Sequence, residues 1–525
     1  MAEPTCTIAA SIACAAFFVH QAVAAVIQVP ADQPTIASAI AAASSGDVIQ
    51  LAPGTYSTPF AFGAKAVTLR GSPSNPATVV VAPQPEKPGG FSEVTAVLND
   101  QDAILIEGLT LTGPVRYAIS GGTAWLSHCI VSASPRGAAP SVSMQDGVLE
   151  VSDTVVLNTG EVVRRGGAFV GVFAVSGGSL SLNNVEASGG YRALVSAADS
   201  VVEFAACDAH GIAAYPTLVE VTGGTLAITN SNFESISDAI AIVATNAISA
   251  TIIDTDFTSV NSDFGLGYAL DLAALHCSLI DCEFSDCGAF SNTAAVAVIV
   301  SGDYEIDGCY VHDNRTSDTG SGGFDLTGTG VMHDSTFARN ATFGLGGATR
   351  VSGTATIDNC TFAENVGGDG AGAVLASGSL TFARCLFTAN VAGDGFYGPE
   401  GKGGGCAVAE GAAQFVECDF TSNSALQVGG GLFVALAAHA TLQNSTLCDN
   451  LPDQVTGDFF DLGGNVICGT CPADLDGNQS TDAADLALLL GLWGTCTDCA
   501  ADISGDGSVG ANDLGLLLGA WGACN

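Results

Sequence analysis

The 525-residue sequence is poor in positive charge, since lysine and arginine number 13 against 53 aspartate and glutamate residues. A nucleic-acid-binding protein needs a basic face to displace counterions, so the shortage argues against that class. It argues equally against electrostatic docking to an anionic membrane. No window after the N-terminus offers about 20 uninterrupted apolar residues, so we expect no membrane span. The formal charge of −40 fits a secreted protein, a cation binder or a salty habitat.

Aromatic residues are also scarce, at 7%, and methionine occurs only three times. Apolar residues nevertheless make up 48% of the chain, which is enough to build a core. The composition therefore argues against a disordered protein.

The first 24 residues predict a secretory signal peptide. An apolar run covers Thr7 to Val19, and Ala22 to Ala24 supplies an A-x-A cleavage site. The segment departs from the usual pattern because Glu3 is present and no basic residue precedes the run. A buried start to the fold is the alternative. Cleavage would leave sixteen cysteines in a compartment that permits disulfides. We therefore expect a secreted or cell-surface protein.

A repeat of about 25 residues organises most of the chain. In its six clearest copies, an apolar anchor residue is followed three positions later by asparagine, and the anchors are spaced by 26, 25, 25, 33 and 27 residues. A small residue two positions before each anchor shares its strand face, and an apolar residue lies five positions before it. Short strands with glycine-rich turns at this period predict a β-solenoid. The anchors are Val311, Phe337, Phe362, Phe387, Phe420 and Leu447.

Residues at the same position of successive repeats form a column along the solenoid, and two of these columns carry polar or reactive side chains. The asparagines fall where a strand ends, so we expect each amide to bond the same residue one coil away. Stacked cysteines in neighbouring coils would lie about 4.8 Å apart, which leaves structural thiols and coil-to-coil disulfides both open. A metal–thiolate site fits such a line of ligands poorly. The cysteine column consists of Cys282, Cys309, Cys360, Cys385 and Cys418.

These coils resemble pectate-lyase-like right-handed parallel β-helices, and their Gly-Gly and Phe-x-x-Asn pattern is similar to polymorphic outer-membrane protein repeats. The segment from Ile27 to Tyr56 resembles the N-terminal cap of such proteins. Within it, residues 35–43 predict a short helix that places Ile36 and Ile40 on one face. The resemblance spans residues 26–465 and implies an all-β, single-stranded solenoid. That scaffold hosts lyases, hydrolases, adhesins and passive surface proteins.

The outward face beside the anchors carries the candidate catalytic residues Glu283, His312 and Asp419. A fourth candidate, Arg384, lies at the preceding bend. Tyr310, on the same face, is a candidate for sugar binding. Gly-His-Gly and Arg-Ile-Lys motifs of polygalacturonases are absent, as are the Gln-Asp-Thr-Leu and Asp-Phe-Ile-Phe-Gly motifs of pectin methylesterases. A solvated sheet face is the competing interpretation, and whether the protein is an enzyme stays open.

One coil is longer than the others by about eight residues and carries two aromatic residues, Phe396 and Tyr397. Exposed aromatics on a loop that a rigid scaffold positions can stack on sugar rings. A Phe396 that folds back on the coils is the alternative.

The C-terminal region contains two units with a period of 28 residues, each an oxygen-rich loop followed by an apolar helix. Oxygen ligands at loop positions 1, 3, 5, 7, 9 and 12 are what Ca²⁺ requires. Gln479 departs from this pattern because it stands where the sharp turn favours glycine. The predicted ligands are Asp474, Asp476, Asn478, the Ser480 carbonyl, Asp482 and Asp485 in the first loop, and Asp502, Ser504, Asp506, the Ser508 carbonyl and Asp513 in the second.

The paired units, over residues 472–525, resemble type I dockerins. The resemblance implies Ca²⁺ binding and a cohesin-like or cell-surface partner. The positions that dockerins use to meet cohesin are Ala483-Ala484 and Ala511-Asn512 here instead of the usual hydroxyl pair. Trp493 and Trp521 are expected to complete a small core with the two helices.

The cysteines of this region also have zinc-ribbon spacing, as Cys468-x-x-Cys471 and Cys496-x-x-Cys499. The 28-residue step that relates Cys496 to Cys524 instead favours disulfides that clasp a helix end to a loop start. Zinc is the alternative.

The sequence thus predicts a signal peptide (1–24), a β-helix with an N-terminal cap (26–465) and a dockerin-like calcium module (466–525). The first functional hypothesis is a secreted Ca²⁺-binding protein that binds polysaccharide or surface matter and is tethered through its C-terminal module. The second is a polysaccharide lyase or glycoside hydrolase that acts on an acidic or neutral polysaccharide.

Overall fold

A computed structural model describes residues 24–525 except 86–91, 114, 133–141, 158–170, 191–192, 214–216, 263–268, 290–295, 317–319, 394–400, 469–472, 477–479, 496–498, 505–506 and 524–525. The predicted signal peptide, apart from its last residue, lies outside the described residues. So do the predicted sugar-binding pair Phe396 and Tyr397 and the predicted calcium ligands Asn478 and Asp506.

The predicted solenoid is present. Among the described residues, 39 strands form one continuous sheet in which successive coils pair in parallel. The predicted anchor column is in register from coil to coil, with Val311 opposite Phe337, Phe337 opposite Phe362, and so on to Leu447. Stacking coils in register lets each one bury the apolar face that its neighbour exposes.

Each coil of the clearest repeats has three strands. The long strands are Ile240–Thr258, Leu270–Ile280, Ala297–Asp307, Phe324–His333, Thr349–Asp358, Val374–Ala383 and Cys406–Val416, then Leu432–Val434 with Ala438–Gln443. The short strands are Glu283–Ser285, Tyr310–His312, Thr336–Ala338, Thr361–Ala363, Leu386–Thr388, Asp419–Thr421 and Thr446–Cys448. A separate five-stranded sheet follows the short strands and consists of Arg315–Thr316, Ala341–Thr342, Val366–Gly367, Val391–Ala392 and Ser424–Ala425.

The remaining strands continue the solenoid toward both ends. Toward the N-terminus they are Val26–Val29, Val48–Leu51, Gly54–Tyr56, Thr68–Arg70, Val79–Val81, Ser92–Val97, Ala103–Glu107, Thr110–Leu111, Val115–Ser120, Thr123–Ser127, Ile130–Ser132, Val142–Gln145, Val148–Leu157, Phe173–Ser176, Ser179–Ser188, Val195–Ala198, Val201–Ala205, Asp208–His210, Thr217–Thr222 and Thr225–Glu234. Asn261–Ser262 pairs with Gly288–Ala289, and the solenoid ends with Val455–Thr456, Phe459–Asp461 and Val466–Ile467. The last strand lies just beyond the predicted boundary at residue 465.

The interior of the solenoid is a stack of apolar side chains, as the columns predicted. Phe362 and Phe387 stack with ring centroids 5.0 Å apart, and Phe387 and Phe420 stack at 4.4 Å. All three are fully buried. Rings in successive coils therefore fill the core at about the spacing of the coils themselves.

The cysteine column consists of structural thiols. All ten free cysteines of the described residues are buried, including the five predicted column members. The Cys385 thiol donates to the carbonyls of Ile357 and Ala383, each at 3.4 Å. The alternative of coil-to-coil disulfides is wrong for this column, because its thiols are bonded to backbone oxygens one coil away and within the same turn.

The N-terminal cap contains the predicted helix, Ile36–Ala42. Thr35 caps it and Ser38 completes a capping box. Ile36 and Ile40 are buried in the same core as the coils, so the helix covers the first turn of the solenoid as expected. A single-turn 3₁₀ helix, Pro76–Thr78, follows later.

The C-terminal module has two helices, Ala483–Gly491 and Ala511–Gly519, each of which begins within the last three positions of a predicted calcium loop. Ser480–Thr481 pairs antiparallel with Gly522–Ala523, and Gly494–Thr495 pairs with Ser508–Val509. Each loop therefore pairs with the segment that follows the other unit's helix, which holds the two units together. No helix among the described residues is long and apolar enough to cross a membrane.

Two expectations for this module are wrong. Trp493 and Trp521 are about half exposed, because the small core is built around Leu489 and Leu517 on the inner helix faces. Cys468 forms a disulfide with Cys448 of the last complete coil. Cys468 is therefore neither a zinc ligand nor part of a disulfide within the module. Cys499 is disulfide-bonded, so the prediction of disulfides instead of zinc is confirmed at that position.

Candidate functional site

The structure brings three of the predicted site residues together on the outward face of the short strands. Glu283 lies directly opposite Tyr310 on the next coil, and Ser285 lies opposite His312. Side chains alternate along a strand, so Tyr310 and His312 flank the buried Val311 and both point outward. Asp313 follows His312 at a left-handed corner with φ 56°. Arg339 occupies the equivalent corner one coil later.

These residues form one hydrogen-bonded network, here named the histidine cluster (Glu283, Tyr310, His312, Asp313 and Arg339). The Nε2 of His312 lies 2.9 Å from the Oε1 of Glu283, and its Nδ1 lies 2.7 Å from the Oδ2 of Asp313. Arg339 donates two hydrogen bonds of 2.7 Å to the Asp313 carboxylate. The Tyr310 ring stacks on the imidazole with centroids 4.0 Å apart.

The electrostatics of the cluster follow from these contacts. Hydrogen bonds from Arg339, and then from His312, lower the pKa of the Asp313 carboxyl to about 2. A carboxylate can only accept, so a ring nitrogen that bonds one must carry the proton. Each ring nitrogen of His312 has a carboxylate oxygen within hydrogen-bond distance. A ring held in this way has the position that a general acid needs, and its side chain, which stacks on Tyr310, is 15% exposed.

The other two catalytic candidates lie elsewhere. Arg384 lies at the corner before its short strand, whereas Asp313 and Arg339 lie at the corner after theirs. It forms an ion pair with Asp358. Asp419 is exposed on the same face as Glu283, but the register places it five coils further along, about 24 Å away. That separation is too great for a shared carboxylate pair.

A second feature, which the sequence reasoning missed, is an open groove on the long strands. It has a volume of about 630 Å³ and spans five coils. Asp303 and Glu305 stand side by side in it, because alternate residues of Ala297–Asp307 point outward. His276 from the preceding coil bonds both Asp303 oxygens, at 2.7 and 2.8 Å. Among the described residues that line the groove there is no lysine or arginine.

The signal for this groove was present in the sequence. Asp303, Glu305 and Asp307 alternate with apolar residues, which is the pattern of a half-buried strand with an acidic outer face. The predicted site residues all lie on or next to the anchor strands, whereas these carboxylates lie on the long strand before. Asp307 also groups with His333 and Asp334, whose ligand atoms lie within 4.8 Å of one another.

The calcium loops can be assessed through their described residues. In the first loop, Asp474, Asp476 and Asp485 each offer an oxygen within 4.8 Å of the others. An oxygen-only donor set suits Ca²⁺. The second loop repeats part of this arrangement, since the Ser504 hydroxyl donates to Asp502 at 3.3 Å and the Gly507 amide donates to the other Asp502 oxygen at 2.7 Å. The residues present therefore fit a calcium ion.

The aspartates at position 12 of the two loops, Asp485 and Asp513, are both fully buried. Backbone amides of Ser504 and Gly510 donate to Asp513, each at 2.7 Å, and hold the pKa of its carboxyl below the usual value. Burial opposes ionisation of Asp485. Amide donors at Asp482, Asp476 and Leu475 outweigh it, so its pKa is also lowered. Both carboxylates are thus held ionised next to the helix N-termini.

Comparison with known proteins supports the fold. The family described as right handed beta helix region matches residues 218–447, which confirms the predicted solenoid and its handedness. No curated protein matches the chain. The match to the family does not extend to the C-terminal module.

The solved structures whose fold is similar to that of this chain include three proteins of different kinds. ORF18 of Geobacillus virus E2 is 12% identical over 65% of this chain and 57% of its own, with a TM-score of 0.27. A mannuronic acid specific polysaccharide family 6 lyase from human gut microbiota is 12% identical over 80% and 86%, with a TM-score of 0.31. The catalytic unit of a GH87 α-1,3-glucanase from Streptomyces thermodiastaticus strain HF3-3 is 15% identical over 82% and 65%, with a TM-score of 0.24. The chain spans less than two thirds of the length of the first and third, and TM-scores of this size carry no argument about activity.

Proposed function

We propose that this is a secreted protein whose solenoid binds a polysaccharide and whose C-terminal module binds Ca²⁺ and tethers it. The observation that carries the proposal is the open groove, where carboxylates, a histidine and threonines face solvent along five successive coils. A row of hydrogen-bonding groups at a spacing of about 4.8 Å suits an extended chain of sugars. The stacked Tyr310 offers a further flat surface for a sugar ring.

Affinity gel electrophoresis of the full chain tests this proposal. Polysaccharides of different charge and linkage are cast into native gels, and the mobility of the protein is compared with that in a blank gel. Retardation by at least one polymer, with a dissociation constant from titration, is expected. Migration at the blank-gel rate in every polymer would refute polysaccharide binding.

The calcium proposal is supported by the buried aspartates Asp485 and Asp513 and by the close oxygens of Asp474 and Asp476. The aspartates and serines of the two loops would supply the oxygen ligands. The ion, when bound, would neutralise the carboxylates that the loops bring together. Calorimetry of the full chain is the direct test, and two bound ions per chain are expected.

A partner for the module is supported by apolar side chains that face solvent at equivalent positions of both units. Leu490 and Leu518 are each 52% exposed, and Trp493 and Trp521 are each about half exposed. Contiguous exposed apolar residues mark interaction sites. We propose a cohesin-like or cell-surface partner. Immobilised cohesin should retain the wild-type chain in Ca²⁺ and release it in chelator, whereas a cohesin surface that retains nothing would leave only the cell-surface alternative.

A second candidate function is a polysaccharide lyase or glycoside hydrolase, and the histidine cluster favours it. His312, held between Glu283 and Asp313, could protonate the oxygen of a leaving sugar. His312→Gln should then abolish turnover in a screen that measures reducing ends and unsaturated products. His210→Gln is the matched control, because His210 stands in the same outward column four coils earlier and also contacts an aspartate. Turnover that survives His312→Gln would remove the cluster from catalysis.

A further inference from the structure

One tryptophan of the solenoid lies on its surface. Trp125 is 39% exposed and faces outward from the strand Thr123–Ser127, since its neighbours Ala124 and Leu126 are both buried. The other two tryptophans of the chain belong to the C-terminal module. An exposed ring of this size on a rigid sheet is available to stack on a ligand.

The ring is held in place by the next coil. Trp125 stands opposite Glu150, and its indole Nε1 donates to the Oε2 of Glu150 at 2.6 Å. A hydrogen bond to an ionised acceptor is the stronger kind. The ring is therefore oriented before any ligand arrives, and a ligand that stacks on it does not have to order it.

Polar groups surround the exposed ring. Glu150 is exposed and uses its Oε2 for the indole, while its Oε1 has no hydrogen-bond partner among the described residues. Thr123 and Ser127 flank Trp125 on the same face of the strand. A sugar ring has C–H groups on its faces and hydroxyl groups around its rim. An aromatic ring with a carboxylate oxygen and hydroxyls at its edge is complementary to that arrangement.

The ring stands alone on this part of the surface. Among the described residues from 98 to 156, Trp125 is the only exposed large apolar side chain. Protein partners bind contiguous apolar patches, so a single ring among polar side chains does not fit an interface of that kind. Stacking on nucleic-acid bases would need basic residues for the phosphates, and the chain is poor in them. A sugar is the ligand that this surface fits.

The register connects this ring to the groove. Trp125 lies in the same outward column as Thr251, which lines the groove, and five coils separate the two residues. That distance is about 24 Å. The side chains between them are short or flexible, namely Glu150, Ser181, Glu203 and Ala227. A polysaccharide that lies along the solenoid axis can therefore contact both the ring and the groove.

We infer that Trp125 is a stacking platform for a pyranose ring of a bound polysaccharide, and that Glu150 accepts from a hydroxyl group of the same sugar. The inference rests on the proposed polysaccharide binding and adds a contact site outside the groove. The ligand that it requires is a pyranose with an accessible C–H face.

The test measures binding of the full chain to dextran, galactomannan, polygalacturonate and alginate in affinity gels and by titration. Trp125→Ala should weaken binding to the polymer that the wild-type chain binds best by about tenfold, because the stacked ring is lost. Trp125→Phe keeps an aromatic face and should lose less. Glu150→Ala should also weaken binding, because it releases the ring and removes the acceptor.

Fluorescence gives a readout that a merely destabilised chain would not produce. The bound polymer should shift the tryptophan emission of the wild-type chain to shorter wavelength and protect it from quenching by iodide, because the stacked indole loses contact with water. Trp125→Phe retains Trp493 and Trp521 and should show neither change.

Two matched controls lie on a different outward face. Leu157 is also 39% exposed, and Glu186 is an exposed glutamate. Both follow the left-handed corner of their coil, whereas Trp125 and Glu150 precede it. Leu157→Ala and Glu186→Ala should therefore leave polymer binding unchanged. Circular dichroism and melting temperature are compared across all the variants.

The outcomes distinguish the platform from the function on which it rests. Selective loss of affinity in Trp125→Ala and Glu150→Ala, with a fluorescence change that requires Trp125, would support the platform. Polymer binding that these changes do not alter, without a change in emission, would overturn the platform and leave polysaccharide binding standing. A chain that binds none of the polymers would refute the proposed function, and the platform with it.

Discussion

Asn390 donates from its side-chain amide to the Oδ1 of Asn423 at 2.8 Å, although 33 residues separate the two. Asn365 and Asn390 make the same bond at 2.9 Å and are only 25 residues apart. The longer coil therefore keeps the ladder geometry of its neighbours. Each amide in this ladder also donates to a backbone carbonyl, as Asn390 does to Phe362 at 2.8 Å. The ladder, which is buried, ties successive coils together just after the short strands.

Asn390→Asp should therefore be strongly destabilising. A carboxylate cannot donate, so the Phe362 carbonyl and the Asn423 oxygen would face a buried negative charge instead of an amide. We expect the free energy of unfolding to fall by about 3 kcal/mol or more, as measured by urea unfolding followed by circular dichroism. Asn183→Ala, at an exposed strand position, is the control and should change stability by less than about 0.5 kcal/mol. Equal effects of the two changes would contradict a structural role for the ladder.

The buried thiols predict a loss of stability in alkali. Burial raises the pKa of Cys129 to about 11 and those of Cys287 and Cys360 to about 12. An unfolded thiol loses its proton near pH 8.5, so above that value the unfolded chain binds fewer protons than the folded one and unfolding becomes easier. Each thiol should remove about 1.4 kcal/mol per pH unit until its folded pKa is reached. The full stabilisation is present below pH 8.

Urea unfolding between pH 8 and 10.5 measures this slope, and Cys129→Ala should reduce it. A second measurement uses iodoacetamide, which attacks the thiolate. The native protein at pH 8 should resist alkylation at these three positions and react only after unfolding. Rapid labelling of the folded chain would show that the thiols are accessible and would remove the basis for the slope.

The Asp313–Arg339 pair predicts a loss of stability in acid. The pKa of Asp313 is lowered to about 2, so its contribution is present above the unfolded value near pH 3.9 and is lost as the pH falls toward 2. Both side chains are more than one third exposed, so solvent screening keeps the effect small. Asp313→Asn should lower stability at pH 6 and show a shallower decline between pH 4 and 2 than the wild type. Parallel acid profiles for the two proteins would contradict this assignment.

Removal of calcium should loosen the C-terminal module and leave the solenoid intact. Trp493 and Trp521, two of the three tryptophans of the chain, report on this module. Excess chelator should change their fluorescence and lower the first thermal transition, while the far-ultraviolet spectrum of the solenoid persists. Asp485→Asn with Asp513→Asn should abolish the response to added Ca²⁺. Asp458→Asn, an exposed carboxylate outside the loops, should respond like the wild type, and a calcium response that survives the double change would refute the assigned ligands.

Much of the fold could be predicted because its information is local and repeated. The Val311 to Leu447 anchors recur at nearly constant spacing, and strand alternation then assigns the neighbouring residues to the inside or the outside. The cap helix could also be predicted from local sequence, because Ile36 and Ile40 are spaced to lie on one helix face after Thr35. The prediction that Trp493 and Trp521 lie in the core of the module was wrong, because an apolar residue just after a helix can face either the core or the solvent in so small a domain.

The candidate site could be predicted only in part. Alternation placed Glu283, Tyr310 and His312 on one outward face, but it could not tell that His312 would reach back to Glu283 and forward to Asp313. The groove was missed for a related reason, since the register places Asp303 and Glu305 beside His276 and Ser278 of the preceding coil. Arg384 and Asp419 occupy the same positions of the repeat as other candidate residues but lie apart from the histidine cluster. A residue's position in the repeat predicts which face of the coil it lies on, but it does not bring residues of distant coils together.

The sequence by itself determined the solenoid, its buried columns and the two oxygen-rich loops, because strand periodicity and short-range spacing are properties of the chain. Only the tertiary structure decided which side chains from different coils meet. The stacking register placed the Tyr304 ring over Gly330, and the path of the chain after the last complete coil brought Cys468 to Cys448. Both contacts depend on the shape of a space between coils, which forms only when the coils have stacked.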